Sequence, residues 1–169
     1  TWSVTTPNQA RWLAEMEAYA AKCYPSLTWL ETLEAQEDYP LSFSQAQTLI
    51  NKYGDDINGI FGMTSVATPA SADAVTQADA CGAVSVVGLA TPNEMKPFVE
   101  SGCVENVVLW NLGYAAVYVT RAVVDGDFSP GDASVSAGKL GDLAVVNGSE
   151  VLLGAPFIFT AENINDFDF

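Results

Sequence analysis

The side chains that most enzyme chemistry requires are sparse in this chain. Its 169 residues include no histidine, which excludes Ser-His-Asp and Cys-His triads and HExxH zinc sites. Two acidic pairs, Glu37-Asp38 and Asp55-Asp56, are the nearest approach to paired catalytic carboxylates. Both lie in polar turns, where aspartate is favoured for its local hydrogen bonds. The sequence therefore predicts a protein that is not an enzyme and that holds no cofactor and no metal.

Motifs for phosphate and nucleotide chemistry are also missing. No GxGxxG, GxxxxGK[ST] or GxSxG pattern occurs, so dinucleotide, P-loop and nucleophile-elbow chemistry have no support. Six basic residues face 21 acidic ones, and the net charge of −15 argues against nucleic acid and anionic membrane as partners. No apolar run reaches the roughly 18 to 20 residues of a membrane helix. No signal peptide is visible, as expected of a cytosolic, mature or truncated chain.

None of the three cysteines lies in a CxxC pattern, which makes a metal site a weak interpretation. Cys81 and Cys103 each precede a predicted strand, so both are expected at the amino edge of the same sheet. A disulfide between them and a pair of buried free thiols are both consistent with this placement. Cys23 falls on the apolar face of a predicted helix and is expected in the core.

The pattern of apolar residues predicts the elements that must position these groups. Strand-like and helix-like stretches alternate through residue 124, which implies a doubly wound parallel α/β sheet. After Gly126 the chain is rich in Gly, Ser, Asp and Val, which predicts a β-rich C-terminal segment of short antiparallel strands. The five strands predicted for the sheet cover residues 2–5, 27–33, 57–63, 84–89 and 104–110.

The loops after these strands indicate the kind of ligand, because doubly wound sheets bind ligands beyond the carboxyl ends of their strands. These loops are rich in Asn, Gln, Thr and Ser and carry no cluster of charge. Neutral hydrogen-bonding groups suit a polyhydroxyl ligand better than a phosphate. The loops cover residues 5–9, 34–40, 63–67, 90–93 and 110–113.

Five segments occur in an order that resembles a known family: TTPNQARW (5–12), GIFGMTSVATPA (59–70), VVGLATPNEMKPFV (86–99), VVLWN (107–111) and PFIFTAENINDFDF (156–169). Together they resemble the periplasmic sugar-binding proteins of ABC importers, in particular the group with rhamnose-type and autoinducer-2-type receptors. The resemblance covers nearly the whole chain. It implies non-catalytic capture of a small neutral sugar or polyol in a cleft between two lobes. It also implies a membrane permease as partner and a periplasmic or extracellular location.

The resemblance also implies which residues contact the ligand. They follow four strands of the predicted sheet and are Asn8, Gln9, Met63, Thr64, Ser65, Thr91 and Asn111. More distant members have an acidic residue at the position of Ala90, so that contact is absent. Asn111 matches the hinge position, but it runs directly into Leu112, three residues sooner than in relatives, which puts its role in doubt.

The resemblance divides the chain into a ligand-binding lobe, 1–111, and a segment, 112–169, with a crossover helix, short hairpins and a C-terminal strand and tail. The N-terminal lobe of the family has no counterpart, so a missing lobe or second chain is an expected partner. A stand-alone flavodoxin-like regulatory or interaction domain without a small-molecule ligand is the alternative. A receiver domain of that fold needs an acidic cluster at the strand ends, which these loops lack.

Overall fold

The computed structural model describes residues 3–169, which form two compact units. The first contains residues 3–108 and 159–169, and the second contains residues 109–158. The chain leaves the first unit within one strand and returns to it within another.

The first unit confirms the prediction of a parallel α/β arrangement. Strands β1 (Gly59–Gly62) and β2 (Ser85–Gly88) pair in parallel, with Gly59 opposite Ser85 and Gly62 opposite Gly88. A parallel bridge between Leu89 and Val108 continues this order to the third strand, β3 (Val107–Leu109). The elements are α1 (Pro7–Cys23), α2 (Tyr39–Tyr53), β1 (Gly59–Gly62), α3 (Ala67–Gln77), β2 (Ser85–Gly88), α4 (Pro92–Glu100) and β3 (Val107–Leu109).

Local signals start the helices of this unit. The Asp38 carboxylate accepts a hydrogen bond from Leu41 N at 2.7 Å and caps α2. Helices α1, α2 and α4 each carry a proline in their first two positions, where its fixed φ suits a helix start. Helix α3 is buried along most of its length, and its small side chains let it approach both strands and α2 closely.

Two strand predictions are wrong. Residues 27–35 have no regular secondary structure, and within residues 3–169 the only strand paired with β1 is β2. Apolar character alone does not make a strand, because a strand requires a neighbour for its backbone groups. The described part of the predicted strand 2–5 is a turn, in which Val4 N donates to Glu34 Oε1 at 2.6 Å. Residue 2 lies outside the described residues.

The cysteines differ from one another in their surroundings. The structure joins Cys81 and Cys103 in a disulfide, with their Cα atoms 4.7 Å apart. Cys23 is exposed, so its predicted place in the core is wrong. It is the last residue of α1, whose buried side chains, Gln9 and Leu13, both lie in the first half of the helix.

The second unit confirms the predicted β-rich segment. Its strands β4, β5 and β6 form an antiparallel sheet, and Asn147-Gly148 makes the tight turn between the last two, both with positive φ. In the core of this unit, Val135 and Leu143 pack with the small residues Ala115 and Ala122 of helix α5 (Leu112–Asp125). The elements are α5 (Leu112–Asp125), β4 (Ser134–Ser136), β5 (Asp142–Val146), β6 (Glu150–Val151) and β7 (Phe157–Phe159).

The division predicted between residues 111 and 112 groups the C-terminal tail with the segment 112–169. Residues 159–169 belong to the first unit, where Phe159 and Ile164 are buried. Lys96 Nζ of α4 donates to Phe167 O at 2.5 Å, and Phe159 and Phe167 meet edge to face. The tail returns to the first unit because its aromatic side chains pack on apolar surface there. The Lys96–Phe167 contact joins residues about 70 positions apart in the chain.

Candidate ligand-binding edge

Strands β1 and β2 end side by side. Because Gly62 lies opposite Gly88 in a parallel register, the loops 63–65 and 89–91 leave the same edge of the sheet. This carboxyl edge is the place where parallel α/β sheets bind ligands. The structure therefore brings together two of the predicted site loops.

A close contact beneath these loops holds them in place. Thr68, fully buried near the start of α3, places its Oγ1 3.1 Å from Gly62 O and 3.0 Å from Thr64 O. A Cβ at Gly62 would lie 2.3 Å from Thr68 Oγ1, and a Cβ at Gly88 would lie 2.1 Å from Gly62 O. Only glycine fits at either position. We call Gly62, Gly88 and Thr68 the glycine–threonine contact.

Sequence reasoning missed this contact. A glycine at the carboxyl end of both neighbouring strands, followed by a threonine in a small-residue helix, is the signal that it left in the sequence. The contact sets the height of the loop 63–65 above the sheet, because the single Thr68 hydroxyl hydrogen lies within reach of the carbonyls on both sides of Met63.

The loop 63–65 offers one open side chain. Met63 and Thr64 are buried, and Thr64 Oγ1 accepts a hydrogen bond from Ala67 N at 3.0 Å. That bond satisfies a free N–H at the start of α3. Ser65 is exposed. The side chains of Met63 and Thr64 therefore shape the loop, and the Ser65 hydroxyl faces solvent.

The neighbouring loop, after β2, carries the hydroxyl of Thr91 next to a buried residue, Ala90. Ala90 is fully buried, and Thr91 is half-buried at the N-cap position of α4. Thr91 Oγ1 donates to Glu94 Oε2 at 2.9 Å. The hydroxyl oxygen keeps its acceptor capacity, and Glu94 fixes its direction.

Asn8 and Gln9 occupy the first turn of α1, where Asn8 is exposed and Gln9 is buried. The Glu34 carboxylate positions the chain that enters this helix. It accepts hydrogen bonds from Val4 N at 2.6 Å and from Ser3 Oγ at 3.0 Å. Glu34 is a positioning residue that sequence reasoning missed. That Asn8 and Gln9 share a ligand with the loops 63–65 and 90–91 stays a prediction.

Asn111 lies in the second unit, where it is the N-cap of α5. Its Oδ1 accepts a hydrogen bond from Tyr114 N at 3.3 Å, a geometry that stabilises the start of a helix. Nearby, Trp110 Nε1 donates to Gly154 O at 3.0 Å. The structure gives Asn111 a capping role, and its contact with a ligand stays a prediction.

Among residues 3–169, no group of three or more cysteine, aspartate or glutamate side chains has the arrangement of a metal site. In the same part of the chain, no helix combines the length and apolar character that a membrane crossing requires.

Comparison with known proteins identifies the family. A family model described as "Periplasmic binding protein domain" matches residues 2–127. The chain belongs to this family. Its members are binding proteins rather than enzymes, in agreement with the prediction from the sequence.

Three solved structures show how far the similarity extends. A sugar ABC transporter protein from Actinomyces odontolyticus is 32% identical over 99% of this chain, with a TM-score of 0.83. The LsrB protein of Clostridium saccharobutylicum, solved with AI-2, is 25% identical over 95% of the chain, with a TM-score of 0.77. A solute-binding protein from Clostridium phytofermentas, solved with L-rhamnose, is 25% identical over 94%, with a TM-score of 0.75. This chain spans 55% of the length of each.

Proposed function

We propose that this chain is the ligand-binding lobe of a sugar-binding protein that serves an ABC importer. It binds a small neutral sugar or polyol at the carboxyl edge of its sheet and catalyses no reaction of that ligand. The observation that carries the proposal is the 32% identity to a sugar ABC transporter protein over 99% of this chain. The family match over residues 2–127 supports it.

The chemistry of the edge suits such a ligand. Ser65 and Asn8 are exposed and Thr91 is half-buried, and all three carry neutral groups that donate and accept hydrogen bonds. These groups replace the water around a sugar hydroxyl without needing a charged partner. The glycine–threonine contact keeps the loop beneath Ser65 rigid, which lowers the entropy lost on binding.

The location and partners follow from the same proposal. A periplasmic or extracellular protein that delivers sugar docks on a membrane permease. The Cys81–Cys103 disulfide supports this location, because such bonds persist in oxidising compartments.

We expect the 169-residue chain to bind L-rhamnose weakly, with a Kd of about 1 mM or higher. The relatives are almost twice as long, and in a two-lobed receptor the remaining chain supplies a share of the ligand contacts. An NMR titration of the isotope-labelled monomer measures this affinity and maps it onto residues. Shifts confined to loops 63–65 and 90–91 and the start of α1 are expected. Micromolar binding by a verified monomer, or no shift at these loops, would contradict the proposal.

Asn8→Ala and Thr91→Ala are each expected to weaken this binding about fivefold, because each removes a hydrogen bond worth about 1 kcal/mol. Neither side chain belongs to the core, so the melting temperature should change little. Asn51→Ala is the matched control, since Asn51 is exposed on α2, away from the carboxyl edge. Equal affinities for all three variants would remove Asn8 and Thr91 from the site.

A further inference from the structure

The C-terminal tail ends against the first turn of α4. Asn93 N donates to Phe169 O at 3.2 Å, and Asn93 Nδ2 donates to Asp168 Oδ1 at 3.0 Å. Lys96 Nζ donates to Phe167 O at 2.5 Å and to Asn93 Oδ1 at 3.0 Å. Three consecutive residues of the tail are thus bonded to two residues of α4. We call these hydrogen bonds the tail contact.

Apolar packing fixes the position of the tail. Phe159 and Ile164 are buried in the first unit, with 2% and 0% of their surfaces exposed. The ring of Phe167 meets Phe159 edge to face at 5.0 Å between centroids, and it meets Phe169 in the same way at 6.1 Å. The carbonyl groups at the end of the tail are therefore held in place as acceptors for α4.

The tail contact changes how α4 is capped. A threonine at the N-cap position usually accepts a hydrogen bond from the N–H of the second or third helical residue. Thr91 occupies this position, but in the described part of the chain its side chain makes no capping bond. Pro92 has no N–H, so Asn93 carries the first backbone donor of the helix. Phe169 O accepts that bond and so acts as the cap in place of Thr91.

This exchange leaves the Thr91 hydroxyl oxygen for another donor. The hydroxyl hydrogen is directed to Glu94 Oε2 at 2.9 Å, and a hydroxyl oxygen has two lone pairs with which it accepts hydrogen bonds. Thr91 is half-buried and directly follows Ala90, at the carboxyl edge of the sheet. If its oxygen accepted the Asn93 N–H, as a capping threonine does, it would point into the helix. The tail contact therefore determines in which direction this acceptor points.

We propose that the tail contact caps α4 in place of Thr91 and so leaves the Thr91 hydroxyl oxygen to accept a hydrogen bond from the sugar. Asn93, Lys96 and Asp168 are then positioning residues, which act on the ligand through Thr91 and do not touch it. The inference rests on the proposed function, because it assigns Thr91 to the sugar. It makes the affinity depend on a segment 75 positions from α4 in the chain.

The test variant is Lys96→Met/Asp168→Ala, which removes both side-chain bonds between α4 and the tail. Without the tail carbonyl, we expect the Thr91 hydroxyl to turn and accept the Asn93 N–H. Three-bond NMR couplings to the Thr91 methyl carbon report its χ1 rotamer and should change. Binding of L-rhamnose, measured by NMR titration, should weaken about fivefold, as for Thr91→Ala.

The matched control is Lys22→Met/Asp166→Ala. It makes the same two substitutions at exposed positions, one at the end of α1 and one in the tail before the tail contact. Its Thr91 couplings and its rhamnose affinity should equal those of the parent chain. The same loss of affinity in the control would show that the change of side chains as such, and not the tail contact, is responsible, which would overturn the proposal.

Combination with Thr91→Ala separates positioning from a general loss of stability. Because the tail contact acts through Thr91, the tail substitutions should weaken rhamnose binding no further in the Thr91→Ala background. Thr91→Ala should also lower the melting temperature of the tail variant, in which Thr91 caps α4, but not that of the parent chain. A second fivefold loss of affinity in the Thr91→Ala background, or unchanged Thr91 couplings in the tail variant, would overturn the proposal. A parent chain that binds no rhamnose would contradict the proposed function, whereas the couplings alone decide whether the tail caps α4 in place of Thr91.

Discussion

Gly88→Ala is expected to lower the free energy of unfolding by about 3 kcal/mol. The new Cβ would lie 2.1 Å from Gly62 O and 2.5 Å from Thr68 Oγ1. One of these atoms belongs to the backbone of the paired strand, so the strain cannot be relieved by turning a side chain. Relief requires the ends of β1 and β2 to separate, which lengthens the 3.0 Å hydrogen bond from Leu89 N to Gly62 O. Urea unfolding followed by circular dichroism measures the change.

Gly59→Ala is the matched control for this substitution. Gly59 lies in the same sheet, and a Cβ there would meet Ser85 O at 3.5 Å, an ordinary contact. Its free energy of unfolding should stay within about 0.5 kcal/mol of the parent chain. Equal stabilities for the two variants would show that the glycine–threonine contact does not constrain the strand ends. Because the loop 63–65 rests on this contact, Gly88→Ala should also abolish the sugar-induced shifts there.

Removal of the disulfide is expected to have an effect of similar size. Cys81 and Cys103 are separated by 22 residues, and a loop of that length restricts the unfolded chain by about 3 kcal/mol. The closed loop contains β2 and α4, so its loss affects both sides of the loop 89–91. The double variant Cys81→Ala/Cys103→Ala should therefore unfold at lower urea than the parent chain.

Two comparisons make this result specific to the disulfide. Cys23→Ala should have no measurable effect, because Cys23 is exposed and unpaired with another cysteine. Dithiothreitol should destabilise the parent chain and leave the double variant unchanged. A parent chain that unfolds at the same urea concentration with and without the reductant would contradict the prediction.

Local signals account for most of what the sequence predicted correctly. The turn before β6 depends on Asn147-Gly148. The apolar run at 84–89 predicted the strand β2, which begins and ends within one residue of that run. Each of these features depends on a few neighbouring residues, which is why the sequence reveals them.

The candidate site was only partly predictable. The resemblance pointed to the loops after β1 and β2, and the structure places both at one edge of the sheet. The resemblance did not distinguish exposed side chains that can contact a ligand from side chains that stabilise a helix start. Thr64 and Asn111 both accept a hydrogen bond from a backbone N–H at a helix start. That distinction depends on the direction of a side chain, and residue type alone does not determine it.

The sequence by itself determined the fold class, the neutral chemistry of the strand-end loops and the exclusion of histidine-dependent catalysis. Only the tertiary structure decided that residues 27–33 form no regular strand, that the tail 159–169 returns to the first unit, and that Thr68 presses against two glycines. The reason is physical. A turn or helix cap forms between neighbours in the chain, whereas strand pairing and close packing depend on residues that only folding brings together. Strand pairing also requires a neighbouring strand, and residues 27–33 form no strand although they have the composition of one.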